Sequence, residues 1–240
     1  MSLTLLYNDD CVFAAYKPAG LHTVQLRSGG GASLADLLLT HYPDLAQASP
    51  ASGDAGLIQR LDRETSGIVL GAKSREVWQK LFEELLAGSI QKTYVALVEG
   101  DFTTRRTLSS FIGSPHRGAA KVRVYENEPP KSARALPGTT VFSPLSFNPV
   151  INCSLVEAVA SPARRHQIRA HAAYVGHPLV GDALYGARSS LSGLCVAQRE
   201  FFLHACTITF QHPTTGQSMT LESPYLHELS DQALRDLRLV

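Results

Sequence analysis

The sequence has little of what marks a membrane or secreted protein. Its 240 residues contain no uninterrupted apolar run of about 18, the length that a membrane-spanning helix needs. The first ten residues show neither the basic start nor the apolar core of a secretory signal peptide. We therefore expect no membrane partner.

Cysteine is scarce and irregularly spaced. The four residues, Cys11, Cys153, Cys195 and Cys206, include no Cys-x-x-Cys pair. Zinc ribbons and disulfide scaffolds depend on closely and regularly spaced cysteines, so neither is expected. Buried thiols in a reducing compartment fit this usage better, and we predict a cytoplasmic protein.

An excess of charge of one sign is also missing. The chain has 22 Lys and Arg against 21 Asp and Glu, a formal net charge of +1, whereas nucleic-acid-binding proteins are typically basic. The basic residues are clustered, however, since residues 161–172 contain three arginines and no acidic side chain. The total charge neither supports nor excludes a polyanionic partner, and the local distribution favours one.

Common nucleotide and hydrolase motifs are absent. There is no Gly-x-x-x-x-Gly-Lys-Ser/Thr loop, no Gly-x-Gly-x-x-Gly and no Gly-x-Ser-x-Gly, which argues against a nucleotide cofactor and a serine esterase. Apolar strands and amphipathic helices mix without regular βαβ alternation, so we predict an α+β fold. Because the sequence shows no repeat or clear linker, we expect residues 1–240 to form a single domain.

Apolar patterns predict the secondary structure. Strands are predicted over residues 3–7, 11–16, 67–72, 90–98, 153–160 and 201–210. Helices are predicted over residues 33–41, 75–87 and 166–175, with a last one from Ser230 to Leu239. Residues 43–56 predict a mobile loop, and residues 113–150, rich in Pro, Gly and basic side chains, predict hairpins and surface loops.

The densest charge cluster is Gln-Arg-Leu-Asp-Arg-Glu-Thr-Ser-Gly at residues 59–67, which lies between two apolar segments. Arg60 or Arg63 held near Asp62 would favour the ionised carboxylate, and an ionised carboxylate acts as a nucleophile or a general base. A turn with surface ion pairs explains the same residues, and such pairs contribute little stability. The cluster alone leaves both interpretations open.

A basic cluster follows at residues 163–171. Its guanidinium, imidazole and amide groups suit phosphate and base contacts, and a solvated basic helix is the alternative. His166 and His171 are five residues apart, not the four that place two metal ligands on one helix face, so we expect no metal. Tyr94, in a predicted strand, would by itself be an ordinary core tyrosine.

Taken together, these segments resemble the RluA-type pseudouridine synthases. The matching motifs are residues 60–67, Gln-Lys-Thr-Tyr at 91–94, His-Gln-Ile-Arg-Ala-His at 166–171 and Gly-Asp-Ala-Leu-Tyr-Gly at 181–186. Lys-Pro-Ala-Gly at 17–20, Leu-His-Ala at 203–205 and His-Pro at 212–213 also follow the order of that family. The resemblance covers nearly the whole chain, from about residue 5 to residue 224.

The resemblance implies a pseudouridine synthase fold, which is a mixed and mostly antiparallel sheet with flanking helices and a central cleft. It also implies that a uridine in tRNA or rRNA is isomerised to pseudouridine without a cofactor or a metal. The catalytic Asp, Tyr and Arg of the family fall on Asp62, Tyr94 and Arg169, and Arg169 is expected to pair with Asp62. The predicted RNA-binding residues are Arg60, Arg164, Arg165, His166 and Gln167.

Two positions depart from the family pattern, because Gln59 replaces the usual His and Pro162-Ala163 replaces Thr-Gly. Gln cannot be protonated, and Ala163 needs a backbone with negative φ. We expect an active monomer without an N-terminal accessory RNA-binding domain. The alternatives are a catalytically impaired RNA-binding or RNA-folding module of the same fold, and an Asp-nucleophile hydrolase of small molecules.

Overall fold

The computed structural model describes residues 2–25, 31–190, 194–195, 199–230, 233 and 235. The chain forms two compact units, a first unit of Met1–Gln91 with Ala205–Pro224 and a second unit of Lys92–His204 with Tyr225–Val240. The strands are β1 (Leu5–Asn8), β2 (Val12–Lys17), β3 (Ser66–Ala72), β4 (Gln91–Glu99), β5 (Arg106–Gly113), β6 (Arg123–Tyr125), β7 (Leu136–Asn148), β8 (Cys153–Ser161), β9 (Leu203–Gln211) and β10 (Ser218–Glu222). The helices are α1 (Leu34–His41), α2 (Arg75–Ala87) and α3 (Gln167–Tyr174), and none in the described part of the chain is long and apolar enough to cross a bilayer.

The first unit is built on the antiparallel neighbours β1, β2 and β3. Asp9 closes the β1–β2 turn, because its Oδ1 accepts hydrogen bonds from the N–H groups of Cys11, at 2.7 Å, and Val12, at 2.8 Å. Every residue of β3 is buried, and β9 lies beside β3 and pairs with β10 in antiparallel register. Gly67 in β3 has a φ of +116°, and a Cβ there would lie 2.2 Å from the carbonyl oxygen of Ala205 in β9, so this position requires glycine.

Both helices of the first unit confirm the sequence prediction. Ser33 caps α1 through a capping box with Asp36. Ser74 caps α2, and Gly88 ends that helix in the left-handed conformation. Local capping signals therefore set the limits of these two helices.

The second unit contains an antiparallel sheet in the order β4-β8-β7-β5-β6. Directly opposite residues in such a sheet place their side chains on one face. The register aligns Lys92, Ala160 and Thr140, and two residues further it aligns Tyr94, Ala158 and Phe142. Helix α3 packs on this face, because Gln167 and His171 both hydrogen-bond to Thr140. The strands and helices of the two units confirm the predicted α+β class.

Two predicted loops contain regular structure. Within residues 113–150 lies β7, a 13-residue strand that pairs with both β5 and β8. The predicted hairpins are confirmed, because β7 and β8 are consecutive antiparallel strands, whereas the prediction of surface loops is wrong for residues 136–148. Pro144 obscured this strand in the sequence, and it sits at a register shift, where a sheet tolerates proline. The loop predicted over 43–56 contains the 3-10 helices Pro43–Gln47 and Ser52–Asp54. Most of the helix predicted after Ser230 lies outside the described residues.

Candidate active site

Asp62 lies in a turn between an irregular segment and β3. The N–H of Thr65 donates to the carbonyl oxygen of Asp62 at 3.1 Å and closes the turn. Upstream, the N–H of Ile58 donates to the carbonyl oxygen of Leu70 in β3 at 2.9 Å, and downstream β3 begins at Ser66. The turn is fixed at both ends in this way, and Asp62 is half-buried.

A buried ammonium group braces the turn on the C-terminal side of Asp62. Lys17 is fully buried, and its Nζ donates to the carbonyl oxygens of Arg63, at 3.0 Å, Leu21, at 2.7 Å, and Pro18, at 2.9 Å. Hydrogen bonds to a charged donor are stronger than those between neutral groups. Residues 17–20 form one of the motifs that resemble the pseudouridine synthases. The hydrogen bond from Lys17 to the backbone of the turn was not predicted.

A buried hydroxyl group braces the N-terminal side. Thr23 Oγ1 donates to the carbonyl oxygen of Leu61 at 2.8 Å and accepts from the N–H of Leu61 at 3.0 Å. Two residues earlier, Gln59 is buried, and neither its amide nitrogen nor its amide oxygen has a hydrogen-bond partner among the described residues. The departure from the family pattern at this position therefore places beside the turn a buried amide that the described residues do not satisfy.

The arginines that flank Asp62 are exposed. The Arg63 guanidinium lies 3.2 Å from the Glu64 carboxylate, and its Nε donates to the carbonyl oxygen of Gly20 at 3.2 Å. An ion pair at this exposure contributes little to stability. The exposure of Arg60 suits its predicted contact with RNA.

Tyr94 and Lys92 occupy the face of the second unit's sheet that carries α3. They are two residues apart in β4, so their side chains share a face, and both are buried. Two effects lower the pKa of Lys92 to about 8. The larger is burial, and the smaller is the nearby positive charge of Arg164. The face therefore combines the predicted catalytic tyrosine with an ammonium group that holds its proton weakly.

A polar network holds α3 on this face. The Gln167 amide nitrogen donates to the Thr140 hydroxyl at 3.0 Å and to a carbonyl of β7 at 2.9 Å, and its oxygen accepts from the Arg164 N–H at 2.9 Å. The His171 ring lies 2.8 Å from Thr140 Oγ1 and 2.9 Å from Ser110 Oγ. Burial lowers the pKa of His171 to about 4, so the ring is neutral at pH 7. The Gln167 amide thus has three protein partners, and its contact with RNA stays a prediction.

Arg169 is held by the carboxylate of Asp182, which was not predicted as a site residue. Its Nε and Nη2 donate to the two oxygens of Asp182 at 2.7 and 2.9 Å, and both residues are buried. The guanidinium carbon also lies 4.2 Å from the ring centre of Phe201 and 5.1 Å from that of Tyr185, distances at which a cation is attracted to a ring. The signal was present, because Asp182 belongs to the matching motif at residues 181–186.

The residues before α3 are tied to neighbouring loops. Arg165 Nη2 donates to the carbonyl oxygens of Ala119, at 3.1 Å, and Ala120, at 2.6 Å. A ring nitrogen of His166 lies 3.0 Å from the Tyr185 hydroxyl. The positive φ in this segment falls on His166, at 53°, and not on Ala163. Alanine is therefore compatible with the backbone at the second departure from the family pattern.

One cluster has the residue types of a metal site, since Asp9, Cys11 and His212 place possible ligand atoms within 4.8 Å of one another. The hydrogen bonds indicate a structural contact between two turns instead. His212 Nδ1 accepts from the N–H groups of Thr214, at 3.4 Å, and Thr215, at 3.2 Å, so Nε2 carries the proton and donates to Asp9 Oδ2 at 3.1 Å. A metal-bound imidazole needs its second nitrogen as a donor. The cluster therefore joins the β1–β2 turn to the turn after β9.

The predicted catalytic residues are divided between the units. Asp62 belongs to the first unit, whereas Tyr94 and Arg169 belong to the second. The pairing of Arg169 with Asp62 stays a prediction.

The sequence matches the family model described as RNA pseudouridylate synthase over residues 12–174. The uncharacterized RNA pseudouridine synthase YhcT of Bacillus subtilis is 33% identical over 93% of this chain and 68% of that protein. Ribosomal large subunit pseudouridine synthase C is 32% identical in Escherichia coli, over 98% of this chain and 70% of that protein, and 32% identical in Salmonella typhimurium, over 92% and 66%. The chain thus spans about two thirds of the length of these relatives. It belongs to the RNA pseudouridylate synthase family, of the RluA type. The enzymes of this family isomerise uridine in RNA, so the predicted enzyme class is confirmed.

Two solved structures share the fold. Human RNA pseudouridylate synthase domain containing 1 matches with a TM-score of 0.69 and 20% identity, over 100% of this chain and 96% of that one. Human RNA pseudouridylate synthase domain containing 4 matches with a TM-score of 0.67 and 18% identity, over 98% and 92%. The predicted pseudouridine synthase fold is confirmed.

Proposed function

We propose that the chain isomerises a specific uridine in tRNA or rRNA to pseudouridine, with Asp62 as the nucleophile. The observation that carries the proposal is the Asp62 turn, in which a half-buried carboxylate follows a backbone that is fixed on both sides. A reacting group has to be held to within a fraction of an ångström for efficient catalysis. The relatives named for the large ribosomal subunit make its RNA the first substrate to test.

The reaction breaks the N1–C1′ bond of uridine, turns the base and forms a C5–C1′ bond. The Asp62 carboxylate either displaces N1 from C1′ to form an ester, which C5 then displaces, or removes the C2′ proton to give a glycal, and that proton returns to C2′ when C5 adds to C1′. Tyr94 stacks on the base and takes the proton from C5, and N1 of the product gains one. One proton changes place and no group is added, so the overall reaction is an isomerisation without an electron acceptor.

Arg169 is proposed to bind the Asp62 carboxylate, as the resemblance implies, since a guanidinium forms strong charge-assisted hydrogen bonds to a carboxylate. Asp182 orients that guanidinium. The target uridine has to leave its stack to meet Asp62. The surrounding RNA is proposed to contact Arg60, Arg164, Arg165, His166 and Gln167, and the protein to act as a cytoplasmic monomer with one catalytic domain over residues 1–240.

Transcripts of tRNA and of large-subunit rRNA test the proposal. We expect the wild type to form pseudouridine at one position and Asp62→Asn to lose at least about 1,000-fold in rate, as when a nucleophile is removed. The matched control is Asp44→Asn, an exposed carboxylate of the same unit, which should retain the wild-type rate. Failure of the wild type to form pseudouridine on any cellular RNA would contradict the proposal.

The alternative, an impaired RNA-binding or RNA-folding module, is favoured by one observation, the buried Gln59 amide beside the turn, which has no hydrogen-bond partner in the part of the chain that the structure describes. This alternative expects RNA affinity that survives Asp62→Asn and no product from the wild type. It also expects Gln59→His to raise the rate.

A further inference from the structure

Thr23 connects α1 to the residue before Asp62. Its carbonyl oxygen accepts from the N–H of Ala35 in the first turn of α1 at 3.0 Å. The neighbouring carbonyl oxygen of His22 accepts from the N–H of Leu34 at 2.8 Å. The capping box of α1 fixes this first turn in addition, so the backbone at Thr23 is attached to a well-defined helix end.

The hydroxyl of Thr23 forms the two hydrogen bonds that a neighbouring strand would otherwise form with the backbone of Leu61. An isolated bridge pairs Leu57 with Gly71 of β3, the N–H of Ile58 binds the carbonyl oxygen of Leu70, and residues 59–61 belong to no strand. In a sheet, the N–H and C=O groups of one residue bind an adjacent backbone. Here one buried oxygen atom serves both groups of Leu61, as donor and as acceptor. Leu61 is therefore held in a single position by a side chain 38 residues away.

We infer that Thr23 is a positioning residue for Asp62, which acts by fixing the backbone of Leu61. The inference rests on the proposed function, since it assigns a role in placing the nucleophile. Buried backbone groups that lose their partners shift to find new ones or remain unsatisfied. Either change displaces the start of the Asp62 turn, and displacement of a reacting group by about 1 Å can cost about 100-fold in rate.

Thr23→Val and Thr23→Ser test the inference. Valine has the shape of threonine but neither donates nor accepts, whereas serine keeps the hydroxyl. We expect Thr23→Val to lower the single-turnover rate of pseudouridine formation by about 30-fold, with RNA affinity unchanged within threefold, and Thr23→Ser to restore the rate to within threefold of the wild type.

Ser49→Ala is the matched control. The Ser49 hydroxyl is also buried, also donates to a carbonyl, that of Ala51 at 2.9 Å, and also accepts from an N–H, that of Gly56 at 3.1 Å. It lies in the same unit and binds no residue of the Asp62 turn. We expect Ser49→Ala to lower the melting temperature about as much as Thr23→Val does and to leave the rate unchanged.

The outcomes separate the inference from the proposed function. A Thr23→Val rate equal to that of Ser49→Ala, or a loss explained by weaker RNA binding, would overturn the positioning role while the wild type still forms pseudouridine. A Thr23→Ser variant as slow as Thr23→Val would overturn it as well. A wild type without product would instead contradict the proposed function.

Discussion

The Asp62 turn and the Arg169 side chain are held in place in opposite ways. In the first unit, the ammonium of Lys17 and the hydroxyl of Thr23 bind backbone groups on either side of Asp62. In the second unit, the carboxylate of Asp182 and an aromatic ring bind the guanidinium group itself. The turn is fixed through its backbone and the arginine through its charge, so substitutions should affect the two regions by different mechanisms.

The largest expected effect comes from breaking the charged contact. Asp182→Leu removes the carboxylate that accepts two hydrogen bonds from the buried Arg169 guanidinium, and loss of one partner of a buried ion pair costs about 4 kcal/mol. We expect the free energy of unfolding in urea to fall by about that amount. The double variant Asp182→Leu with Arg169→Met should recover most of the stability but none of the activity, because an apolar replacement of both partners is often close to neutral. A single variant as stable as the wild type would contradict this description of the second unit.

A smaller effect is expected when the buried ammonium of the first unit is removed. Lys17→Met leaves three carbonyl oxygens without their charged donor, and each such bond is worth more than a neutral one, so we expect a loss of about 3 kcal/mol in urea unfolding. Lys80→Met is the control in the same unit. Its ammonium forms an exposed helix pair with Glu76, and the change should stay within about 0.5 kcal/mol. Equal losses in the two variants would show that the bracing of the turn is not stabilising.

The polar network under α3 predicts a pH dependence. The pKa of His171 in the folded protein is about 4, below its value of about 6.5 in an unfolded chain. The unfolded state therefore binds more protons between these values, so stability is complete above pH 6.5 and falls as the pH drops toward 4. We expect a loss of about 3 kcal/mol across this range, measured by urea unfolding at several pH values. The slope should be absent in His171→Gln, and its persistence there would assign it to other groups.

The smallest expected effect has the opposite sign. Gln59 buries an amide without a partner among the described residues, and burying such a group is unfavourable. Gln59→Leu should therefore raise the free energy of unfolding by about 1 kcal/mol. A destabilised variant would indicate that an internal water molecule satisfies the amide.

Local signals made much of the fold predictable. The Ser33 and Ser74 caps and the turn at Asp9 confirm the predicted α1, α2 and β1–β2 hairpin, since each depends on residues a few positions apart. The strand β7 was missed because its prolines suggest a loop, and the pairing with β5 and β8 that overrides them is not local.

The candidate site divides in the same way. Asp62, Tyr94 and Arg169 were selected by resemblance, because nothing local separates a catalytic carboxylate from one in a surface turn. The groups that hold them were not selected. Thr23 binds Leu61, which is 38 residues away in the sequence, and Asp182 binds Arg169, which is 13 residues away. Contacts at such separations cannot be predicted from local sequence patterns.

The contact of Gly67 with Ala205 limits how the first unit can be engineered. Since a single added carbon would lie 2.2 Å from a backbone oxygen, the start of the strand after the Asp62 turn lies too close to its neighbour to accept a side chain. Insertions and fluorescent labels should therefore be placed upstream, at the exposed residues 51–53, where the chain has space to accept them.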